Sequence, residues 1–216
     1  MTTHSSSHAT PIPEIVETIP NKTIPLGAIS PFDHSFDDVN ESDWFYADVM
    51  YAYQHGLMTG TSTEPLLFSP NTPLTRGMIV AIMYRDTKGS AAEHVNPFND
   101  VVEGKWYTDA VIWAAANGIV SGYGDGKFGP EDEITRQDLA CILQRYASFK
   151  EIGLPAHRDE HVFDDAVEIA DYAKNAIEQL YRAGIIGGKP GNLLDPKGSA
   201  TRAEFAAMLH RFLNRA

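Results

Sequence analysis

The chain has a single cysteine in 216 residues, Cys141. That excludes an internal disulfide and a metal site built from several thiolates. It has no run of about 18 apolar residues, so no membrane-spanning helix is expected. The N-terminus, Met1-Thr2-Thr3-His4-Ser5, carries neither a basic nor an apolar stretch and does not read as a signal peptide. Either the protein is cytoplasmic, or this chain is one piece of a longer exported protein. Positive charge is scarce: 17 Lys and Arg stand against 29 Asp and Glu, a net charge of −12. With no basic cluster, nucleic-acid binding and adhesion to an anionic membrane are disfavoured. An anionic ligand has to be met by individual arginines against an acidic background. Catalytic signatures are missing too. His4, His8, His34, His94, His157 and His161 lie in tails and connections, and no zinc motif appears. No acid pair stands apart as a glycosidase pair would. No cofactor, metal or catalytic residue is expected.

What the chain does have is repetition. Its hydrophobic fraction of 43% suffices for a packed core. Residues 1–31, with prolines at 11, 13, 20, 25 and 31, show no sustained period and read as a disordered linker rich in Pro, Ser and Thr. Beyond them one pattern occurs three times. It opens on Phe36-Asp37-Asp38-Val39, Phe98-Asn99-Asp100-Val101 and Phe163-Asp164-Asp165-Ala166. An aromatic follows: Trp44, Trp106 or Tyr172. Next comes a glycine pair, Gly56 with Gly60, Gly118 with Gly122, and Gly184 with Gly188. Then stand Phe68-Ser69-Pro70, Phe128-Gly129-Pro130 and Leu194-Asp195-Pro196. Each copy continues into Thr75-Arg76-Gly77-Met78-Ile79, Thr135-Arg136-Gln137-Asp138-Leu139 or Thr201-Arg202-Ala203-Glu204-Phe205. The copies span 32–88, 95–149 and 160–216, joined by polar connections at 86–97 and 147–162. A unit of about 50 ordered residues is marginal alone. The three are therefore expected to fold as one cooperative unit with pseudo-threefold symmetry.

Each repeat reads as helix, loop, helix, which makes the fold all-α. In the first helices Val49, Ala52 and Tyr53, then Trp106, Ala110, Val111, Ala114 and Ala115, then Ile177, Leu180 and Tyr181 fall on one face. Gly56, Gly118 and Gly184 stand where a left-handed helix end belongs. The second helices carry Ile79, Ile82 and Met83, then Leu139, Ile142 and Leu143, then Phe205, Met208 and Leu209, the stripe of a helix packed on one side. Cys141 shares its slot with Ala81 and Ala207 and reads as a small core residue. Arg85, Arg145 and Arg211 suit the dipole of the last turn. The segment Tyr123-Gly124-Asp125-Gly126-Lys127 lacks the alternating acids and closing Glu of a calcium loop and reads as a turn.

Thr75, Thr135 and Thr201 are good N-caps. Glu204 completes a capping box with Thr201, and Asp138 makes a weaker one with Thr135. The residue after each cap is unusual. Arg76, Arg136 and Arg202 are cations at the positive end of a helix dipole, where charge of that sign is unfavourable by roughly 0.3–1 kcal/mol. Two readings stay open. Arginine beside free helix amides is a site for a carboxylate or phosphate; alternatively, each arginine pairs with an acid of a neighbouring segment.

Taken in this order three times, Phe-x-Asp-Val, the aromatic, Gly-x-x-x-Gly, Phe-x-Pro and Thr-Arg-x-Glu resemble the surface-layer homology (SLH) domain. The resemblance covers roughly residues 36–213. It implies three tandem SLH repeats in a three-pronged spindle around a central three-helix bundle, formed by the first helices. It implies an extracellular location at the bacterial cell surface. It implies non-covalent anchoring to the wall through an anionic secondary cell-wall polysaccharide, in many members through an N-acetylmannosamine with a ketal-linked pyruvate. The ligand would lie in grooves between repeats, and the family's binding arginine falls on Arg76, Arg136 and Arg202, beside Thr75, Thr135 and Thr201. The fragment is expected to be monomeric and without catalysis.

The chemistry fits that implication. A pyruvate ketal presents one carboxylate, which arginine at a helix start can hold. Trp44, Trp106 and Tyr172 are either platforms for a sugar face or core aromatics. Asp38, Asp100 and Asp165 accept sugar hydroxyls, cap the first helix or orient an arginine. Gly60, Gly122 and Gly188 admit a ligand close to the backbone, or serve loop geometry alone. The copies are unequal. The first has Gly77 and Met78 at the helix start and a loop, 56–70, two residues longer than 118–130. The third has Tyr172, Ala166 and Leu194 where the others have Trp, Val and Phe. The sites of Arg136 and Arg202 are favoured over that of Arg76. The alternative function is a protein-interaction or self-assembly scaffold without glycan binding. Anion binding predicts that Arg→Ala abolishes polymer binding without unfolding; a scaffold predicts little change or lowered stability.

Overall fold

The computed structural model describes residues 36–89 and 94–214, and the expected linker at 1–31 lies outside them. Six α-helices carry the fold among the described residues: α1 Tyr46–Gln54, α2 Arg76–Thr87, α3 Thr108–Ala116, α4 Arg136–Phe149, α5 Lys174–Arg182 and α6 Arg202–Leu213. Each repeat contributes one pair. The longer glycine loop of the first repeat forms a small antiparallel hairpin, β1 Ser62–Thr63 with β2 Leu66–Leu67. No helix among the described residues is long and apolar enough to cross a membrane.

The first helices end alike because of one residue. Gly56, Gly118 and Gly184 take φ of 65°, 70° and 75°, a backbone region that glycine enters without steric cost. The next amide then reaches back to the helix, Leu57 to Ala52, Ile119 to Ala114 and Ile185 to Leu180, at 2.8–2.9 Å. This hydrogen-bond pattern satisfies carbonyls that the helix end would otherwise leave open. Val49, Ala52, Ala110, Val111, Ala114, Ile177 and Leu180 are buried, as their spacing predicts. Trp113 is buried as well and meets Tyr84 of α2 edge-on at 5.6 Å.

The second helices, not the first, occupy the centre. The amide of Leu74 donates to Ala200, that of Ala200 to Ile134, and that of Ile134 to Leu74, each at 2.9 Å. A closed ring of three bonds requires three chain segments to meet on one axis, and each segment leads directly into a second helix. Further along, Tyr146 of α4 stacks on Phe212 of α6 at 5.7 Å, and its hydroxyl reaches the Met83 carbonyl of α2. Residues 79–83, 139–143 and 205–209 are buried without interruption. The single stripe expected for these helices is thus too narrow, because an axial helix has neighbours on every side.

Each first helix docks on the second helix of the preceding repeat: α3 on α2, α5 on α4, and α1 on α6. The last pair closes the ring between the two ends of the described chain. There Tyr51 stacks on His210 at 4.1 Å, and the His210 Nδ1 lies 2.7 Å from Asp48. Ala81, Cys141 and Ala207 are the small residues of the three docking faces, all buried. Burial pushes the Cys141 thiol up, which keeps it protonated and unreactive.

Candidate functional site

The threonine caps form as expected. Oγ1 of Thr75, Thr135 and Thr201 accepts from the amides of Met78, Asp138 and Glu204 at 3.2–3.3 Å. Glu204 also reaches back to the Thr201 amide at 3.0 Å and completes its capping box. Asp138 has the shorter side chain and takes the Thr135 hydroxyl instead, at 2.8 Å.

The helix amides are not open to a ligand, which corrects the expectation of free N–H groups beside the arginines. Arg76 and Gly77 donate to the carbonyls of Asp132 and Pro130. Arg136 and Gln137 donate to Gly198 and Pro196, and Arg202 and Ala203 to Thr72 and Pro70, all at 2.9–3.0 Å. The positive end of each helix dipole is satisfied by carbonyls of the next repeat around the ring.

The arginine side chains follow the same rule. Nε of Arg76, Arg136 and Arg202 donates to the carbonyls of Phe128, Leu194 and Phe68 at 2.7–2.8 Å. All three arginines are buried. The motif aspartates hold those carbonyls in place. Asp38 accepts the amides of Phe68 and Ser69, Asp100 those of Phe128 and Gly129, and Asp165 those of Leu194 and Asp195, at 2.7–2.9 Å. Burial works to raise the Asp100 pKa, but the Phe128 and Gly129 amides outweigh it and leave it below the ordinary carboxylate value. Both oxygens of each aspartate are engaged. They neither cap the first helices nor face a ligand freely; they orient the arginines through the loop.

The second glycines serve packing. A Cβ on Gly60, Gly122 or Gly188 would lie 3.1, 2.6 or 2.7 Å from Cε1 of Phe36, Phe98 or Phe163. The opening phenylalanine of each repeat thus packs against the glycine where a side chain would stand, and Gly188 also lines a cavity beside Arg136. Two of the three arginines expected in last turns are structural: Nη1 of Arg85 donates to Leu57 at 2.8 Å and that of Arg211 to Ile185 at 3.3 Å, fixing the loop after the glycine. Arg145 is exposed and lies before the last turn of α4, because that helix runs on to Phe149.

Trp44, Trp106 and Tyr172 precede the first helices rather than lying within them. Their following neighbours, Phe45, Tyr107 and Ala173, enter the core instead. Trp44 and Tyr172 are thereby left 64% and 63% exposed, whereas Trp106 is partly buried against the core.

Around Arg136 these parts meet in a groove to which all three repeats contribute. A cavity of about 530 Å³ is lined by Arg136 of the second repeat, by Gly187, Lys189 and Glu204 of the third, and by Trp44 of the first. Arg136 is 4% exposed, and each of its nitrogens has a partner: Nε on Leu194, Nη2 on the Gly187 carbonyl at 3.0 Å, and Nη1 on Glu204 at 3.1 Å. The ion-pair reading is thus realised at this arginine. Lys189 Nζ lies 2.6 Å from Asp195 and 3.4 Å from the same Glu204 oxygen.

The Arg76 surroundings differ. Its guanidinium lies over the rings of Tyr123 and Phe128, 4.6 and 4.8 Å from their centroids. The Tyr123 hydroxyl donates to Asp132 at 2.9 Å and that of Tyr172 to Asp138 at 2.7 Å. Burial, and then the Asp138 carboxylate, push the Tyr172 pKa up to about 12. Arg202 lies over Phe68 at 4.6 Å and donates through Nη2 to Thr59. Met78 of the first repeat stands where Asp138 and Glu204 stand in the second and third. Tyr123 and Lys189 were missed as site residues. Both follow a second glycine, a position that holds Thr61 in the first repeat, and the only signal was divergence at a fixed place in the motif.

The S-layer homology domain pattern matches residues 35–77, 97–140 and 162–206, more than half of the chain. An amylopullulanase of Thermoanaerobacterium thermosulfurigenes is 31% identical over 191 residues, covering 85% of this chain and 10% of its own length. An S-layer protein of Bacillus thuringiensis subsp. finitimus is 27% identical over 85% of this chain and 22% of its own length. A cellulosome-anchoring protein of Acetivibrio thermocellus is 28% identical over 69% of this chain and 34% of its own length. The chain thus spans between a tenth and about a third of these relatives. With three tandem copies of the motif closed into one ring, the chain belongs to the S-layer homology domain family, whose modules anchor proteins at the bacterial cell surface.

Proposed function

We propose that the chain anchors the protein carrying it to the cell wall by binding an anionic secondary cell-wall polysaccharide, with a pyruvylated N-acetylmannosamine as the recognised unit. The observation that carries this reading is the groove in which exposed Trp44 and two cations, Arg136 and Lys189, line one cavity. The Trp44 ring meets Phe45 edge-on at 5.3 Å and still leaves 64% of the residue exposed, an apolar surface turned to the groove. A sugar ring offers an apolar face to such a platform, and its carboxylate matches the cations. The relatives fit a division of labour in which enzymes such as the amylopullulanase carry their chemistry elsewhere and the module holds the surface.

The arginines tie neighbouring repeats together, so Arg→Ala lowers stability whether the module binds glycan or acts as a scaffold, and does not separate the two readings. The test is co-sedimentation with purified wall sacculi, intact and after acid stripping of the secondary polymer. Wild type is expected to bind intact walls only, and Trp44→Ala to weaken that binding about tenfold with its fold retained by circular dichroism. Equal binding to stripped walls moves the protein-interaction reading to the front.

A further inference from the structure

We propose that Lys189, rather than the helix start behind Arg136, makes the direct charge contact with the ligand's anionic group, and that the residue after each second glycine sets which groove accepts an anion. The inference rests on the glycan-anchoring reading and specifies the chemistry of one groove. The helix amides at Arg136 and Gln137 already donate to Gly198 and Pro196. The Arg136 guanidinium is buried with all three nitrogens engaged. Its bond to the Gly187 carbonyl instead positions the loop that carries Lys189.

Lys189 is differently placed. Its side chain is 33% exposed, and its partner Asp195 is 42% exposed. An ion pair this open to water is weak, so a ligand carboxylate can displace Asp195 at little cost. An ammonium has three donors. Lys189 can therefore keep Glu204, 3.4 Å away, and still present a proton to the cavity.

The equivalent positions elsewhere lack this. Tyr123 lays its ring over the Arg76 guanidinium and its hydroxyl on Asp132, which roofs the cation and adds no charge. The Arg76 groove then holds one covered cation with Asp132 and Asp138, and repels an anion. Thr61 turns its hydroxyl to Ser69 at 2.6 Å and is likewise uncharged.

The test follows indole N–H signals by NMR while the methyl glycoside of pyruvylated N-acetylmannosamine is titrated, with the unpyruvylated glycoside as the neutral control. The three tryptophans report separately: Trp44 lines the Arg136 groove, Trp106 lies at the edge of α3, and Trp113 is buried. The Trp44 signal is expected to shift saturably. Lys189→Gln is expected to weaken the pyruvylated sugar roughly fivefold, as for a partly exposed ion pair, and to leave the neutral sugar unchanged. Lys189→Arg keeps the binding. Unchanged affinity in Lys189→Gln, or an equal loss for both sugars, overturns the proposal. A Trp106 shift with a still Trp44 overturns the groove assignment while leaving anchoring intact. Failure of wild type to bind either the glycoside or intact walls overturns the anchoring reading itself.

Discussion

The grooves of Arg136 and Arg76 share one scaffold and differ in their lining. In both, an aspartate grips two loop amides, and a buried arginine takes the carbonyl between them. Around Arg136 stand Glu204, Lys189 and the exposed Trp44. Around Arg76 stand Tyr123, Asp132, Asp138 and Tyr172, joined by phenol–carboxylate hydrogen bonds. The same repeat thus yields a charge-balanced groove with an aromatic platform, and an acidic groove roofed by a phenol ring. The difference teaches that scaffold and specificity reside in different positions of the motif.

The largest effect should fall on the shared scaffold. Asp100→Ala and Asp165→Ala each strand two partly buried amides and are expected to lower stability by about 4 kcal/mol in urea titration. Similar losses support one scaffold for both grooves; a loss confined to one breaks the comparison. Next come the arginines. Arg136→Ala leaves Glu204 with less compensation and is expected to cost about 3 kcal/mol. Arg76 has no ion pair to an acid among the described residues, and Arg76→Ala is expected to cost about 1–2 kcal/mol by the same assay.

Smaller effects separate the linings. Trp44→Ala should weaken binding to intact sacculi by about tenfold, while Tyr172→Ala leaves it nearly unchanged. Comparable losses would show that both grooves bind. The smallest effect is one of pH. The Lys189 hydrogen bond, against a smaller opposing contribution from burial, holds the Asp195 carboxyl below its ordinary value. Its folded pKa is below the unfolded one, so its stabilisation is complete above about pH 4 and fades as pH falls through the folded value. For so exposed a pair the loss should stay below about 0.5 kcal/mol. It should shrink in Lys189→Gln when thermal melts at pH 6 and pH 3 are compared, leaving the smaller contributions of Arg136 and the Gly198 amide.

Much of the local structure was legible in the chain. Thr75, Thr135 and Thr201 announce helix starts, and Gly56, Gly118 and Gly184 announce helix ends, because their hydrogen bonds close within a few residues. The docking faces of the first helices were legible for the same reason. The place of the second helices was not, since an apolar stripe on each helix of a pair does not say which one lies on the axis. For Asp38, Asp100 and Asp165, orienting an arginine was one of three roles left open, and the choice among them was hidden because their partners lie in a loop beyond the first helix.

The sequence by itself determined the three-fold repetition, the ends of the first helices and the starts of the second, the small-residue slots and the family, all of which rest on short-range chemistry or on recurrence. Only the tertiary structure decided that the second helices form the axis and that their free amides are spent on the next repeat. It also decided that Lys189 comes to stand beside Arg136 and Trp44. The physical reason is ring closure. The surroundings of Arg136 and of Arg76 are each assembled from three repeats, so what a side chain faces depends on which repeat packs beside it, and identical motifs acquire different surroundings.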